Sequence, residues 1–367
     1  MTPSPQALQD AAHRTAVFLP NYNHGQFLAA ALNGLVTQSF VPGEICVVDD
    51  ASTDESRAII AGYSARYPVI KPVLLDKRRG VIANMNTFLQ GSKADFLYFA
   101  ASDDIVMPTL IERSLTCLLT HPKAGLCSSL VRLMDENGKD IGPFLSFVPK
   151  TRQGFISPKD AGRILLKFDS WIMGNTSVYR RQALLDAGGF DPTLKGFTDG
   201  FAQRVIALKY GVCFLDEELA YWRRLDTGFS STTSKVPKTV HDVAHHALAH
   251  MHAEGQAVFP PAYPARWRRR WIYGAASRCL QTTPQVPWED IAAICAPLST
   301  VDRTAITLCR KMGKTGQSLF KVYLALRLRS ADALRFFGPC RLASHIRRRR
   351  IAARWTPSAR QNSVDGG

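Results

Sequence analysis

The sequence predicts an α/β protein, with a doubly wound sheet in the first two thirds and a basic helical region after it. Over the first 130 residues, short apolar runs alternate with stretches of helical length and periodicity, which favours strands connected by helices. Near the other end, positive charge accumulates. The predicted strands are Thr15–Leu19, Glu44–Val48, Lys71–Leu75, Phe96–Ala101 and Gly125–Leu133. The predicted helices between them are His24–Val36, Asp54–Tyr67, Val81–Gln90 and Pro108–Thr120.

The chain continues with a less regular pattern. Helices are predicted near Pro158–Phe168 and at Asp199–Tyr210, followed by a short strand at Val212–Leu215. From about residue 236 the pattern is helical through Trp355, and the polar tail from residue 357 is expected to be disordered.

Bulk composition indicates a globular protein with reduced thiols. Of the 367 residues 46% are hydrophobic, and the eight cysteines are scattered without a Cys-x-x-Cys pair. This usage argues against a disulfide framework or a zinc site. No apolar run approaches the roughly 18 residues that a spanning helix needs, and the N-terminus lacks the apolar core of a signal peptide. A cytoplasmic protein is expected, either free or peripheral on the inner face of the cytoplasmic membrane.

The net charge of +16 is concentrated at the C-terminal end. Residues 260–367 contain 20 Lys and Arg against 5 Asp and Glu, whereas residues 1–259 contain 26 against 25. The segments Arg266–Trp271 and Arg347–Arg350 are the densest clusters, and an apolar row at helical spacing accompanies them at Leu319, Val322, Tyr323 and Leu326. Tryptophan with arginine suits an anionic membrane surface. A helical cap with a solvated basic face remains an alternative, and nucleic acid is not the expected partner.

Polar residues follow three of the predicted strands at the edge where open α/β sheets bind their ligands. They are Pro20, Tyr22 and Asn23 after the first strand, Asp50 after the second, and Asp103 with Asp104 after Phe96–Ala101. An aromatic ring such as that of Tyr22 can stack on a planar base, and a carboxylate such as that of Asp50 can accept a base N–H. An adjacent carboxylate pair can hold a divalent metal against phosphate oxygens. Turn residues that cap helices are the structural alternative for each group.

Five motifs in order resemble a family 2 glycosyltransferase over about residues 13–232. They are Pro20-x-Tyr22-Asn23, Val47-Val48-Asp49-Asp50-x-Ser52-x-Asp54, Ser102-Asp103-Asp104, Gly189-Phe190-Asp191, and Thr198-Asp199 to Tyr210-Gly211 with Leu215-Asp216-Glu217. The resemblance implies a GT-A fold with a mixed sheet. It divides residues 1–235 into a nucleotide-sugar half (about 13–130) and an acceptor half (131–235), followed by the basic helical region 236–356 and the tail 357–367.

The resemblance also implies roles for individual residues. Pro20, Tyr22, Asn23, Asp50, Asp103 and Arg223 would contact the nucleotide-sugar donor, and Asp104 would reach a Mn²⁺ or Mg²⁺ ion. Asp199 would act as the general base of an inverting transfer, although a residue at a helix start is also a natural N-cap. A glycan or lipid-linked acceptor in bacterial surface polysaccharide assembly is expected, with a UDP- or dTDP-sugar favoured as donor.

Three positions depart from the family pattern. Thr198 stands where an acidic residue usually precedes the catalytic Asp, Met85 replaces an Arg, and Leu225 replaces a His. Arg78, Arg79, Arg223 or Arg224 could compensate at the diphosphate, because guanidinium groups bind phosphate in a bidentate manner. The departures leave a non-catalytic nucleotide-sugar-binding protein as the alternative.

Three further features have open interpretations in the sequence. Trp171 could stack on a sugar or lie in the core. Glu217 and Glu218 would shape the acceptor wall. His241, His245, His246 and His250 share helical spacing but lack acidic or thiol partners for a metal site.

Overall fold

A computed structural model of the chain describes residues 2–144, 148–149, 153–225, 233–253, 258–282 and 285–329. Its strands in this part of the chain are β1 (Thr15–Asn21), β2 (Glu44–Asp49), β3 (Ile70–Leu74), β4 (Phe96–Phe99), β5 (Ile105–Val106), β6 (Leu126–Met134), β7 (Asp140–Pro143), β8 (Gly154–Ile156), β9 (Val178–Arg180) and β10 (Val212–Arg223). Its helices are α1 (Pro5–His13), α2 (Gly25–Val36), α3 (Ser56–Arg66), α4 (Val81–Gly91), α5 (Leu110–Thr120), α6 (Pro158–Lys167), α7 (Arg181–Asp186), α8 (Thr198–Tyr210), α9 (Pro237–His252), α10 (Tyr263–Cys279), α11 (Trp288–Ile294), α12 (Thr300–Lys311) and α13 (Gly313–Arg329).

The strands form one mixed sheet in the order β3-β2-β1-β4-β9-β6-β10-β5 among the described residues, with β7 beside β6 and β8 beside β10. The first four are parallel, and β1 is aligned with β2 so that Asn21 lies opposite Asp49. Strand β9 is antiparallel to its neighbours β4 and β6. The predicted doubly wound mixed sheet is therefore confirmed, and the register brings the ends of β1 and β2 together.

Helices cover both faces of this sheet because its strands are apolar on both sides. Residues Val17 and Leu19 of β1 pack in one core with α1, α2, α3 and α5. Ala16 points to the other face, where the core includes α4 and α6 to α8. Because β1, β2 and β4 are parallel, the loops that follow them lie at the same edge of the sheet.

The two helices that follow the α/β unit share its core. Val243 and Ala247 of α9, and Tyr263 and Trp267 of α10, belong to the same buried cluster as α8. A further cluster joins α10 to α11, α12 and α13. The predicted domain boundary at residue 235 therefore falls within a continuous core. The remaining part of the predicted region, residues 330–356, and the tail 357–367 lie outside the described residues.

Two predicted boundaries shift for identifiable reasons. Helix α3 begins at Ser56 rather than Asp54, because the Asp54 carboxylate accepts hydrogen bonds from the amides of Ser56 and Gly25. Strand β10 runs to Arg223 instead of ending at Leu215, through two irregularities in its pairing with β6. Such bulges bend a strand and re-aim its side chains. Among the described residues, no helix is long and apolar enough to cross a membrane.

Candidate functional site at the edge of the sheet

The loops after β1 and β2 are joined by side-chain hydrogen bonds. The buried Asn21 amide donates to the Asp49 carboxylate (2.9 Å) and to the Ser52 hydroxyl (3.1 Å). Asn23 has a left-handed backbone with φ of 53°, and its side-chain oxygen accepts the Thr53 amide at 2.8 Å. Asn23 therefore lies at the predicted loop and holds the two loops in one arrangement, whereas Pro20 lies within β1, opposite Val48.

Tyr22 presents its ring to solvent at the same edge. Its side chain is exposed, and the Arg78 guanidinium lies 3.9 Å from the ring centroid. Cation–π contact of this kind stabilises by about 0.5–1 kcal/mol at exposed sites. A planar aromatic surface and a positive charge thus occur together where the resemblance places a nucleotide.

Asp50 is buried and organises the start of α4. One of its carboxylate oxygens accepts the Arg79 amide (2.8 Å) and the Asn84 side-chain amide (3.1 Å). The other accepts the Gly80 amide at 2.8 Å. Gly80 has φ of 89°, a conformation that glycine adopts without strain. Asp50 therefore shapes the loop that carries Arg78 and Arg79.

The turn after β4 is connected to both neighbouring segments. His24 Nδ1 lies 2.9 Å from the Ser102 hydroxyl. The buried Arg223 donates from Nε to the Asp103 carbonyl (2.8 Å) and from Nη1 to the carbonyls of Asp135 (3.2 Å) and Glu136 (2.9 Å). Arg223 therefore ties the Asp103 turn to the β6–β7 turn, and its predicted contact with the donor stays a prediction.

Asp104 is a buried carboxylate held by two donors. Its Oδ1 accepts the Arg223 backbone amide and its Oδ2 accepts the Asn175 side-chain amide, both at 2.9 Å. Burial, together with the negative charge of Asp103, raises the pKa of Asp104 to about 8. The environment of the Asp104 carboxyl thus disfavours its ionised form.

These two carboxyl groups fit a hard divalent cation. Mg²⁺ and related ions bind through one or two carboxylates and complete their coordination with water and phosphate. A cation would relieve the repulsion that raises the pKa of Asp104. No group of three or more His, Cys, Asp or Glu suited to a metal occurs in the ranges that the structure describes. A cation held by these carboxyl groups would therefore depend on water and a phosphate-bearing ligand for the rest of its coordination.

Asp199 lies in the first turn of α8, at the helix start that the sequence predicts. Its Oδ1 accepts the Gly200 amide at 2.7 Å. A Cβ atom added to Gly174 would lie 2.5 Å from Asp199 Oδ2, so the carboxylate rests against bare backbone. Gly174 begins the three-residue 3₁₀ turn Gly174–Thr176, and the next residue, Asn175, donates to Asp104. One short turn therefore contacts both Asp199 and Asp104.

Burial raises the pKa of the Asp199 carboxyl above its usual value, and the Gly200 amide and the Arg204 guanidinium lower it by less. Burial, reinforced by the charge of Asp199, raises the pKa of Tyr179 as well. A carboxylate with a raised pKa binds a proton more readily than a solvated one, which is the property of a general base.

Several side-chain contacts at this edge were not predicted from the sequence. Asn84 and Asn175 donate to Asp50 and Asp104, and His24 contacts Ser102. The local sequence does not predict these contacts, because each pair of residues is distant in the chain and comes together only when the sheet forms. Asn86, the residue after Met85, forms two hydrogen bonds with the Phe190 backbone.

Other sequence expectations are resolved by burial. Trp171 is fully buried and belongs to the core, so stacking on a sugar is excluded in this conformation. Glu218 forms a buried ion pair with Arg132 at 2.7 Å rather than an acceptor wall. His250 pairs with Asp191, and His241 contacts the Ala293 carbonyl.

The Arg266–Trp271 cluster is turned inward only in part, because Arg268 and Arg269 are exposed. Trp267 is buried and lies 4.9 Å from Phe197 between ring centroids. Arg266 and Arg270 donate to the carbonyls of Leu165 and Leu166 at the end of α6. Trp267 is therefore not available to a membrane in this conformation, and the membrane contact predicted for the basic region stays a prediction. Arg347–Arg350 lies outside the described residues.

Comparison with known proteins gives a consistent picture. A family model described as glycosyl transferase family 2 matches residues 16–184. An uncharacterized protein of Mycobacterium tuberculosis is 32% identical over 170 residues, which cover 45% of this chain and 46% of the relative. An uncharacterized glycosyltransferase of Nostoc sp. is 28% identical over 214 residues, covering 57% of this chain and 64% of the relative. The chain thus spans less than two thirds of these relatives, and about half of the first.

Among solved structures, S. aureus TarS 1–349 in complex with UDP-GlcNAc is similar to this chain. Its TM-score is 0.56 at 18% sequence identity, and the match covers 85% of this chain and 91% of that one. A likeness at this level of identity shows a shared fold.

Proposed function

We propose that the chain, whose residues 16–184 match the model of glycosyl transferase family 2, is a glycosyltransferase that transfers a sugar, with inversion, from a nucleoside diphosphate sugar to an acceptor hydroxyl. The observation that carries the proposal is the turn Gly174–Thr176. It contacts Asp199 through Gly174 and Asp104 through Asn175. The proposed base and the proposed metal ligand thus flank one short segment.

In the proposed reaction, the acceptor hydroxyl gives its proton to Asp199. The freed oxygen forms a bond to the anomeric carbon while the bond from that carbon to the phosphate oxygen breaks. The nucleoside diphosphate leaves with the electron pair. Attack from the face opposite the leaving group inverts the configuration in one displacement. A positioned base contributes about 10²- to 10⁴-fold to the rate.

The donor side uses the loops after β1, β2 and β4. Tyr22 offers its ring to the base, and Arg78 beside it offers positive charge. The Asp50 oxygen that accepts only the Gly80 amide among the described contacts keeps a lone pair for a base N–H, which favours uracil or thymine. A Mn²⁺ or Mg²⁺ ion at Asp104, with Asp103 beside it, would neutralise the charge on the leaving diphosphate as a Lewis acid.

The test is a panel of nucleotide sugars with Mn²⁺, led by UDP- and dTDP-sugars. We expect one donor to raise Tm, since ligand binding to the native state stabilises it, and to release its nucleoside diphosphate in the presence of a glycan or lipid-linked acceptor. Binding without release would favour the non-catalytic binding protein. Neither binding nor release with any donor would refute the proposed function.

We further propose that the acceptor is glycan or lipid-linked, in bacterial surface polysaccharide assembly, and that α12 and α13 bring the chain to an anionic membrane surface. Each helix leaves an apolar row in solvent: Val301, Leu308 and Met312 from α12 to its end, and Leu319, Val322 and Leu326 along α13. Residues 300–329 contain seven Lys and Arg, and their one acidic residue, Asp302, is buried. Apolar side chains flanked by cations suit an anionic lipid surface.

A variant in α13 tests this contact. The double change Val322→Glu and Leu326→Glu in the full chain should abolish or strongly weaken co-sedimentation with vesicles of phosphatidylglycerol and phosphatidylcholine, because it adds negative charge to the apolar row. Wild type should bind these vesicles more weakly at high salt and should not bind pure phosphatidylcholine. The matched control changes two exposed apolar residues elsewhere, Val41→Glu and Ile141→Glu. Equal loss in both variants, or none in either, would contradict the proposal.

A further inference from the structure

Arg204 is a buried cation on α8, five residues after Asp199. Its Nε donates to Asp169 Oδ1 (3.1 Å) and to the Tyr263 hydroxyl (2.9 Å), and its Nη2 donates to the Asp169 carbonyl (3.0 Å). Its Nη1 donates to the Gly200 carbonyl. The guanidinium therefore has partners in three separate parts of the chain.

The partners of Arg204 complete one another. Tyr263 is fully buried at the start of α10, and its hydroxyl donates to Asp169 Oδ1 at 2.7 Å while it accepts from Arg204. The Asp169–Arg204 ion pair is about nine-tenths buried on both sides. Separating the two members of such a pair would leave an uncompensated buried charge, which is strongly destabilising. The pair therefore holds the arrangement in place. We call Asp169, Arg204 and Tyr263 the α8 clamp.

The clamp reaches the first turn of α8 directly. Arg204 binds the Gly200 carbonyl, and the Gly200 amide binds Asp199 Oδ1. The ring of Phe197, one residue before α8, lies 5.0 Å from the Arg204 guanidinium and 4.9 Å from the Trp267 ring. Both ends of the turn that carries Asp199 are thus fixed by residues that include two from α10.

We infer that the α8 clamp, with α10 as its C-terminal member, positions Asp199 for proton transfer. The inference rests on the proposed function, because it assigns a task to the base of that reaction. Helix α10, which the sequence analysis assigned to the basic helical region, would thus help to position the general base. Arg204, Asp169 and Tyr263 are positioning residues and touch no reacting atom. The attraction of Arg204 also favours the ionised form of Asp199.

The test compares Arg204→Gln and Tyr263→Phe with Arg266→Gln in the full chain. Arg266 is the matched control, because it also lies on α10 and donates to an α6 carbonyl, and it has no hydrogen bond to α8 among the described contacts. We expect Arg204→Gln to lower kcat at least tenfold with an unchanged KM for the donor, and Tyr263→Phe to lower it less. Arg204→Lys should restore only part of the rate, because lysine keeps the positive charge but lacks the several N–H donors of the guanidinium group.

Two readouts distinguish positioning from stability. The charged and titratable groups recorded against Asp199 are Arg204 on its own helix and Tyr179 on β9. Loss of Arg204 should therefore move the acidic limb of the kcat profile to higher pH, and the control should not. Hydrogen exchange at the amides of residues 199–201 should speed up in Arg204→Gln and stay slow in the control.

The outcomes separate this inference from the proposed function. A wild type that releases no nucleoside diphosphate refutes the proposed function, and hydrogen exchange then still reports on the clamp. An active wild type whose folded Arg204→Gln variant matches the control in kcat, pH profile and exchange would overturn the inference. If Arg204→Gln does not fold, Tyr263→Phe provides the same test, because it removes one hydroxyl and no buried charge.

Discussion

Replacing Asp199 with asparagine is expected to lower turnover by about 10²- to 10⁴-fold, which is the contribution of a positioned general base. Asparagine has the same shape, and its side-chain oxygen can still accept the Gly200 amide that bonds to Asp199 Oδ1. It cannot accept the acceptor's proton. Donor affinity should not change, because the donor loops lie after β1, β2 and β4. Nucleoside diphosphate release and donor titration calorimetry measure the two quantities separately.

The role of Asp199 as the base also predicts the direction in which wild-type kcat changes with pH. A base is active when it is deprotonated, so kcat should rise with pH through the pKa of Asp199. Burial raises that pKa, and the rise should therefore occur above the usual range of an aspartate. The control for the substitution is Asp186→Asn, which affects a carboxylate that hydrogen-bonds Tyr210 at the far end of the same helix. An Asp199→Asn enzyme with wild-type turnover would show that another group takes the proton.

Replacing Asp104 with asparagine is expected to have the second largest effect. The substitution removes the negative charge that would face the cation. The side-chain oxygen of asparagine can still accept the hydrogen bond from the Arg223 backbone amide. Lewis-acid stabilisation of a leaving group is worth several kcal/mol, so a loss of about 3 kcal/mol, or about 10²-fold in rate, is expected. Turnover and the donor-induced rise in Tm should both lose their dependence on Mn²⁺ concentration.

Asp103→Asn is the companion variant for this measurement. It also removes one negative charge from the turn, but Asp103 is not the predicted metal ligand. We expect a smaller loss of turnover with the dependence on Mn²⁺ retained. If both variants respond equally to Mn²⁺, the division of roles between the two carboxylates is wrong.

The sheet and the positions of its polar ends were predictable because their signals are local. Apolar runs at Thr15–Leu19 and Glu44–Val48 mark buried strands, and polar residues follow each of them directly. Asp199 was predicted at a helix start for the same reason. The partners of these residues were not predictable. Asn175 is 71 residues from Asp104 along the chain, and Tyr263 is 59 residues from Arg204.

The Arg266–Trp271 segment shows why composition alone misleads. Arginine beside tryptophan has the same sequence pattern at a lipid surface and in a helix packed against carbonyl groups. Here the carbonyls at the end of α6 take the arginine donors, which satisfies groups that a helix C-terminus leaves without partners. Only the tertiary fold shows that such acceptors are near.

Gly174 restricts where the carboxylate of Asp199 can lie. The Cβ atom of any side chain at position 174 would lie 2.5 Å from Asp199 Oδ2, which is closer than non-bonded atoms approach. A relative with a side chain at position 174 would have to place the carboxylate of residue 199 in another rotamer, and glycine at 174 leaves the present rotamer open. The two positions are therefore coupled through space, although they are separate in the sequence.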